Sequence, residues 1–200
     1  MKKFFIYINS LFLFVSCATT NISSFKNPDI NIAEYKKILI FGNSRDIDFR
    51  KTLERDLVLA FAEKQIEAVS SIEIISPVKE YSNDEIKSML EKHKIDGCLS
   101  VAVVAAYEES AYVPQTTSTH YRSQYVNGQL ISVPYTTTSG GYSLSYPKAS
   151  FEIILIDVLT GDVAFKATAN SEGDEFSDMK EISKSLAKKI VEEYTRLSLE

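Results

Sequence analysis

Between residues 37 and 106, short apolar runs alternate with segments of helical periodicity. Three runs have the apolar or β-branched character of strands: 37–41, 68–75 and 98–106. The segments between them are predicted helices, one over about residues 49–65 and one that begins at the Ser82–Glu85 capping box. The order strand, helix, strand, helix, strand predicts two crossover units on one sheet.

A different pattern begins at residue 150. Strand-like runs over 150–158 and 163–169 flank Thr160-Gly161, which predicts an antiparallel hairpin. A closing helix is predicted over about residues 178–196, with apolar residues at helical spacing: Met179, Ile182, Leu186, Ile190 and Tyr194. The whole pattern predicts an α/β (α+β) fold, β-α-β-α-β followed by antiparallel strands and a C-terminal helix, with the helices packed on a mixed sheet.

Residues 113–147 interrupt this pattern with a polar, aromatic segment. The segment contains six Ser, six Thr and five Tyr, and Arg122 is its only formal charge. Asn127-Gly128 lies between two extended-looking stretches, which predicts a protruding β-hairpin.

This Ser/Thr/Tyr-rich segment is a predicted contact surface. Tyr among Ser, Thr and Gly is typical of binding loops, whereas twelve buried hydroxyl groups would each need a partner in a core. The predicted partner-binding residues are the five tyrosines: Tyr121, Tyr125, Tyr135, Tyr142 and Tyr146. The alternative is an exposed hairpin that only extends the sheet, since Tyr and Thr are ordinary strand residues.

Residues 1–16 have the order of a secretory signal peptide. A positive start at Met1–Lys3 is followed by an apolar run over residues 4–15. The alternative is a transmembrane helix, but twelve residues span only about 18 Å against about 30 Å of hydrocarbon. The signal peptide is therefore the favoured interpretation.

The end of this run, Phe14-Val15-Ser16-Cys17, resembles a bacterial lipobox. The resemblance implies that Cys17 carries a diacylglycerol thioether and an acylated amine, and anchors the protein to a membrane. Ala18 after the cysteine implies the outer membrane rather than the inner one in a cell that has two. The alternative is a plain secreted protein in which Cys17 is a spare thiol.

The remaining chain divides at about residue 35. Residues 17–34 are small and polar with Pro28 among them, which predicts a lipidated cysteine followed by a flexible tether. A single domain is predicted over residues 35–197, with residues 113–147 as a hairpin insertion.

Composition argues against several functional classes. A formal net charge of −5 lacks the basic footprint of a nucleic-acid-binding protein. His93 and His120 have no metal-ligand spacing, and Cys98 lies in an apolar run that is typical of an inert, packed thiol. We therefore expect no enzymatic activity, no cofactor, no metal and no nucleic-acid partner.

Several segments together resemble a group of bacterial envelope proteins. They are KKILIFG, FRKTLERDLVLAF, IDGCLSVAVV and IDVLTGDVAFKA, within residues 36–110 and 150–196. The chain is similar to uncharacterised envelope lipoproteins whose small α/β domain recurs at the N-terminus of the Tol-system propeller protein. A similar small α/β domain recurs in curli-secretion pore lipoproteins and in lipoprotein activators of penicillin-binding proteins.

This resemblance implies an assembly or regulatory adaptor rather than an enzyme. The expected function is a lipid-anchored, non-catalytic interaction module that recruits another envelope protein. The alternative is a subunit of an outer-membrane pore or secretion assembly in which the 113–147 hairpin is inserted in the membrane.

Overall fold

The apolar runs pair into one six-stranded sheet, seen in a computed structural model that describes residues 18–199. The strands are β1 Ala18–Lys26, β2 Lys37–Asn43, β3 Glu67–Ser70, β4 Gly97–Val113, β5 Thr116–Val126, β6 Gln129–Ser139, β7 Tyr142–Asp157 and β8 Val163–Gly173. The helices are α1 Ile47–Glu63, α2 Ser71–Ile74, α3 Asn83–Lys92 and α4 Met179–Ser198, with a 3-10 turn at Ile32–Glu34. The predicted signal peptide and Cys17 lie outside the described residues.

The main sheet is mixed, with strand order β1-β8-β7-β4-β2-β3. Strand β2 runs parallel to both β3 and β4, as expected for strands joined by helical crossovers. The other neighbouring pairs of this sheet are antiparallel. Strands β5 and β6 form a separate two-stranded sheet. The predicted mixed α/β class, with helices on a sheet and a C-terminal helix, is confirmed.

The core lies between the main sheet and the helices α1 and α4. The predicted stripe of α4 is buried from Ile182 onward, with Leu186 and Ile190 both 0% exposed, whereas Met179 is half-buried. Phe61 of α1 meets the ring of Tyr194 edge-on, at a centroid distance of 5.3 Å. The Tyr194 hydroxyl donates a hydrogen bond of 2.8 Å to the carbonyl of buried Ile32, so the ring contributes apolar area without leaving its hydroxyl unpaired.

The helix starts follow from capping chemistry that is visible in the sequence. Asp46 accepts hydrogen bonds from the first-turn amides of α1. Ser82 and Glu85 form the predicted capping box of α3, and Asp178 and Glu181 form one at α4.

The tether predicted over residues 18–34 is wrong. Residues 18–26 form the edge strand β1, which pairs antiparallel with β8 from Ala18↔Gly173 to Lys26↔Phe165. Hydroxyl groups on its inner side bond to α4: Thr20 Oγ1 lies 2.9 Å from Ser185 Oγ, and Ser24 donates to Glu193. The folded domain therefore includes residues 18–34 rather than starting at residue 35.

Two strand boundaries also differ from the prediction. The run 68–75 is a strand only to Ser70, because the Ser70 hydroxyl accepts from the Ile72 amide and starts the short helix α2. Strand β4 continues beyond Ala106 to Val113, after a bulge between Val103 and Ala105 that shifts its register with β7 by one residue.

Within residues 18–199, the helices are too short or too polar to cross a bilayer.

Candidate interaction surface

Strands β4 and β7 continue past the edge of the other strands as a two-stranded stem. The stem consists of residues 108–113 paired with residues 142–147, and the last pair between β7 and β8 is Lys148↔Glu172. At the base, Lys148 Nζ lies 2.6 Å from Glu109 and 3.2 Å from Glu172. The hydrogen bonds that Lys148 donates to Glu109 and Glu172 favour its charged form and raise its pKa. The lysine therefore ties the base of the stem to β8.

A short junction separates the stem from the hairpin, which we define as β5, β6 and the turn between them, residues 116–139. Gly140 has φ +83°, and a Cβ there would come within 2.1 Å of the Pro114 carbonyl oxygen. The Gly141 amide donates to Val113 at 2.7 Å. The junction therefore requires glycine at position 140, both for its positive φ and for the close backbone approach.

The hairpin turns at Asn127-Gly128, with φ values of +51° and +78°. Two central residues with positive φ define a type I′ turn, whose twist matches that of the flanking strands. Val126 faces Gln129 across the turn, and the pairing then runs to Thr116↔Ser139. The predicted hairpin is confirmed, and each of its strands has eleven residues, or about 35 Å at the usual rise.

Stem and hairpin share one symmetric register. Pairs equidistant from the turn face each other from Val126↔Gln129 out to Ala105↔Ser150, where the bulge ends the symmetry. Residues 105–150 are therefore one long hairpin, interrupted at the junction. The constant register from Asn127-Gly128 outward places Tyr112 in the stem and Tyr107 directly at its base, where they are 64% and 58% exposed. Neither tyrosine was predicted as a contact residue, because the apolar run that predicts β4 ends at Ala106.

The structure does not bring the five predicted tyrosines together on one face. Tyr121 and Tyr125 share one face of the hairpin, and Tyr135 lies on the other, stacked on His120 at a centroid distance of 5.3 Å. Tyr142 and Tyr146 lie on β7 in the stem, at positions that alternate with the buried ones. Their role in partner binding stays a prediction.

Almost the entire hairpin is exposed on both faces. Only Val133 is half-buried among its residues. Its large exposed apolar side chains are Tyr121, Tyr125, Val126, Leu130, Ile131 and Tyr135, with Tyr121 at 71% and Tyr125 at 74%. An isolated two-stranded hairpin is at best marginally stable in water, and clustered apolar exposure marks interaction sites. The hairpin is thus the best candidate for a contact surface.

A cleft of about 540 Å³ lies at the opposite end of the sheet, and two of the carboxylates that line it, Asp96 and Asp157, are engaged in local structure. Asp96 accepts from the backbone amides of Lys36 and Lys37, at 2.7 and 3.0 Å. Asp157 accepts from the Tyr35 hydroxyl at 2.8 Å. Burial and this contact raise the pKa of Tyr35. Burial alone would raise the pKa of Asp157, but hydrogen bonds from Thr160 and Tyr35 hold it below its ordinary value.

The other chemical candidates are dispersed. Cys98 is half-buried, and desolvation together with the charge of Glu54 raises the pKa of its thiol to about 11. His93 caps the C-terminus of α3, whereas His120 lies in the hairpin. Among the described residues, no three His, Cys, Asp or Glu side chains are close enough to hold a metal ion.

No protein-family model matches the chain, and no curated protein matches it in sequence. Its fold is similar to that of the PelC dodecamer from Paraburkholderia phytofirmans, with a TM-score of 0.51 and 14% identity over 88% of this chain and 97% of that one. A point variant of that dodecamer gives a TM-score of 0.51 and 15% identity over 88% and 98%. The lipoprotein GNA1162 from Neisseria meningitidis gives a TM-score of 0.42 and 13% identity over 80% and 98%.

Proposed function

We propose that the protein is a non-catalytic interaction module of the bacterial cell envelope, anchored by lipid on Cys17 and docked to another envelope protein through the hairpin. The observation that carries this proposal is the hairpin itself. It extends away from the core, and its tyrosines and aliphatic side chains are left largely exposed by the described fold. Covering exposed apolar side chains of this kind with a partner removes them from water, which stabilises the complex.

The position of β1 supports the anchoring part of the proposal. Ala18 pairs with Gly173, and the neighbouring Glu172 pairs with Lys148 at the base of the stem. The chain therefore enters the sheet at the end from which the stem leaves. A lipid on Cys17 would hold this end of the domain at the membrane, where other envelope components meet the hairpin. Ala18 favours the outer membrane in a cell that has two.

The proposal that the protein is not catalytic is supported by the contacts that its ionisable side chains make. In the cleft at the far end of the sheet, Asp96 and Asp157 accept hydrogen bonds from backbone amides and from Tyr35. A catalytic acid or base needs free access to a substrate proton, and carboxylates held in this way serve the fold. The raised pKa of Cys98 likewise keeps its thiol protonated at neutral pH, which disfavours a nucleophilic role.

Replacing residues 116–139 with a short glycine-containing turn is expected to abolish capture of the envelope partner. The thermal midpoint should change little, because the hairpin pairs only with itself and the core lies elsewhere. Capture from detergent-solubilised envelope and thermal unfolding measure the two effects. Leu159→Ala is the control, since Leu159 is 94% exposed at the opposite end of the sheet. Undiminished capture, or an unfolded domain, would show that the hairpin is scaffold.

The Cys17→Ala chain is expected to lose membrane attachment. Acyl chains contribute about 0.8 kcal/mol per buried methylene, so two or three of them hold a protein at a bilayer almost permanently. Metabolic palmitate labelling and fractionation of the wild type and the variant measure this effect. A variant that stays with the membrane, together with an unlabelled wild type, would refute the anchor.

A second candidate function is a subunit of a pore or secretion assembly whose hairpin enters the membrane. Its support is that β5 and β6 each have eleven residues, against about 9–11 for a strand that crosses a bilayer. PelC, whose fold is similar, forms a dodecamer, and this favours an assembly of several copies of the present chain. Labelling of a Tyr125→Cys chain by a membrane-impermeant maleimide separates the two functions, because an inserted residue would be protected.

A further inference from the structure

The two outer edges of the hairpin differ in their hydrogen-bonding capacity. In a two-residue type I′ hairpin, the residues that flank the turn exchange both backbone hydrogen bonds, here Val126 and Gln129. Because bonded and non-bonded pairs alternate, every second residue of β5 directs its backbone N–H and C=O outward. These residues are Thr117, Thr119, Tyr121, Ser123 and Tyr125.

The outer edge of β6 is interrupted at its centre. Pro134 faces Tyr121, so it occupies an outward-directed position, and proline has no N–H to donate there. Proline at such a position is a common means of blocking a strand edge. The five outward-directed residues of β5 include no proline. Arg122, the one charged residue of β5, is not among them, because its backbone pairs with Val133 of β6. One edge of the hairpin is therefore open, and the other is blocked.

We infer that the open edge of β5 pairs antiparallel with β5 of a second copy of the chain, about a two-fold axis at Tyr121. The result is a four-stranded sheet in the order β6-β5-β5-β6. This inference rests on the proposed function, since it identifies one partner of the same hairpin. It supplies the additional strands that a two-stranded hairpin needs for independent stability.

Main-chain bonding and charge select this register. An axis at Tyr121 pairs each of the five outward-directed residues with an outward-directed residue of the second copy, which satisfies ten backbone hydrogen bonds. Arg122 then lies opposite the imidazole of His120 in the second copy. Moving the axis to Arg122 would place two guanidinium groups directly opposite each other, and like charges in that position are destabilising.

The blocked edge limits the assembly to two chains. Pairing of β5 with β5 is isologous, so it uses up the open edge of both copies and leaves only the edges that contain Pro134. Pairing of β5 with β6 would be head-to-tail and would continue from copy to copy. Each interface of this head-to-tail assembly would lack one backbone hydrogen bond, because Pro134 has no N–H to donate.

Disulfide cross-linking of the full membrane-bound chain tests the contact. In the two-fold sheet the Cα atoms of the two Tyr121 residues are about 5.5 Å apart, within the range of a disulfide. A Tyr121→Cys chain is expected to give a cross-linked dimer under mild oxidation. A Ser132→Cys chain is expected to give none, because the two β6 strands lie about 14 Å apart across the sheet. A Tyr121→Cys chain that stays monomeric overturns the inference.

Two proline variants in the Tyr121→Cys chain test the edge itself. Ser123 and Ser132 face each other across the hairpin at outward-directed positions, so proline at either site spares the bonds within the hairpin. Ser123→Pro is expected to reduce cross-linking at least tenfold, and Ser132→Pro to leave it unchanged. Equal loss in both variants, or no loss with Ser123→Pro, overturns pairing through the open edge of β5.

These outcomes are separate from those of the capture experiment. Cross-linking reports only contacts between copies, whereas capture reports binding of a different envelope protein. Monomeric chains that still need residues 116–139 for capture would overturn the pairing and leave the proposed function standing. Cross-linked chains that capture nothing would support the pairing and refute the adaptor role.

Discussion

Replacement of Leu186 by alanine is expected to lower the free energy of unfolding by about 2–5 kcal/mol. Leu186 is 0% exposed and lies in the core between α4, α1 and the sheet. Removing its side chain loses the transfer free energy of the deleted groups and leaves a cavity that the packed neighbours fill only in part. Ile190, one turn further along α4 and also 0% exposed, is expected to behave in the same way.

Urea unfolding of the variant chains measures this loss. Lys188→Ala is the matched control, because Lys188 lies between these two residues on the exposed side of α4. Its effect is expected to stay within about 0.5 kcal/mol. Losses below about 0.5 kcal/mol for Leu186→Ala and Ile190→Ala would contradict the packing of α4 on the sheet.

Replacement of Glu54 by alanine is expected to cost about 3–5 kcal/mol of unfolding free energy. Glu54 is 0% exposed, and its carboxylate accepts hydrogen bonds of 2.9 Å from the Gly42 amide and from Arg50. It also accepts from the hydroxyls of Ser70 at 2.5 Å and Ser71 at 2.8 Å. Alanine would leave these donors without an acceptor and the Arg50 guanidinium, only 13% exposed, without its counter-charge.

The same carboxylate predicts a pH dependence of stability. Burial alone would raise the pKa of Glu54, but hydrogen bonds from Ser70, Arg50, Gly42 and Ser71 hold it below the ordinary value of 4.5. A lowered pKa in the folded state gives stability that is complete above the unfolded pKa and is lost as the pH falls.

Unfolding free energies measured between about pH 3 and pH 7 test both effects, across the usual titration range of a glutamate. The Glu54→Ala chain is expected to lose less stability than the wild type on acidification, since the group that titrates is absent. Glu63→Ala is the control, because Glu63 is exposed at the end of the same helix. Equal stability of the Glu54→Ala and Glu63→Ala chains would show that the network is not needed for folding.

The elements predicted well from the sequence are those set by local chemistry. Capping pairs such as Asp178 and Glu181 start helices wherever an apolar stripe follows them. Asn127-Gly128 adopts a type I′ turn because both residues tolerate positive φ. These signals lie within a few residues of one another, so they were visible without knowledge of the tertiary fold.

The elements missed are those decided by distant partners. Residues 18–26 are small and polar, as in a linker, and they become a strand only because β8 offers an edge and α4 offers hydrogen-bonding partners. Glu54 is a charged residue in an amphipathic helix, and its burial depends on hydrogen bonds from Ser70 at the end of β3 and Ser71 at the start of α2. The grouping of the tyrosines depends on the junction at Gly140, since the hairpin and the stem belong to separate ladders.

Because β1 begins at Ala18, the sheet starts immediately after the proposed site of lipidation. A flexible tether over residues 18–34 would let the domain search a volume up to about 58 Å from the bilayer. If Cys17 is lipidated as proposed, each copy would lack that slack, would be held at nearly one height and would diffuse in two dimensions. Hairpins of neighbouring copies would then meet at the same level, which would raise their effective concentration. Partners beyond the reach of the hairpin would have to approach the membrane before they were bound.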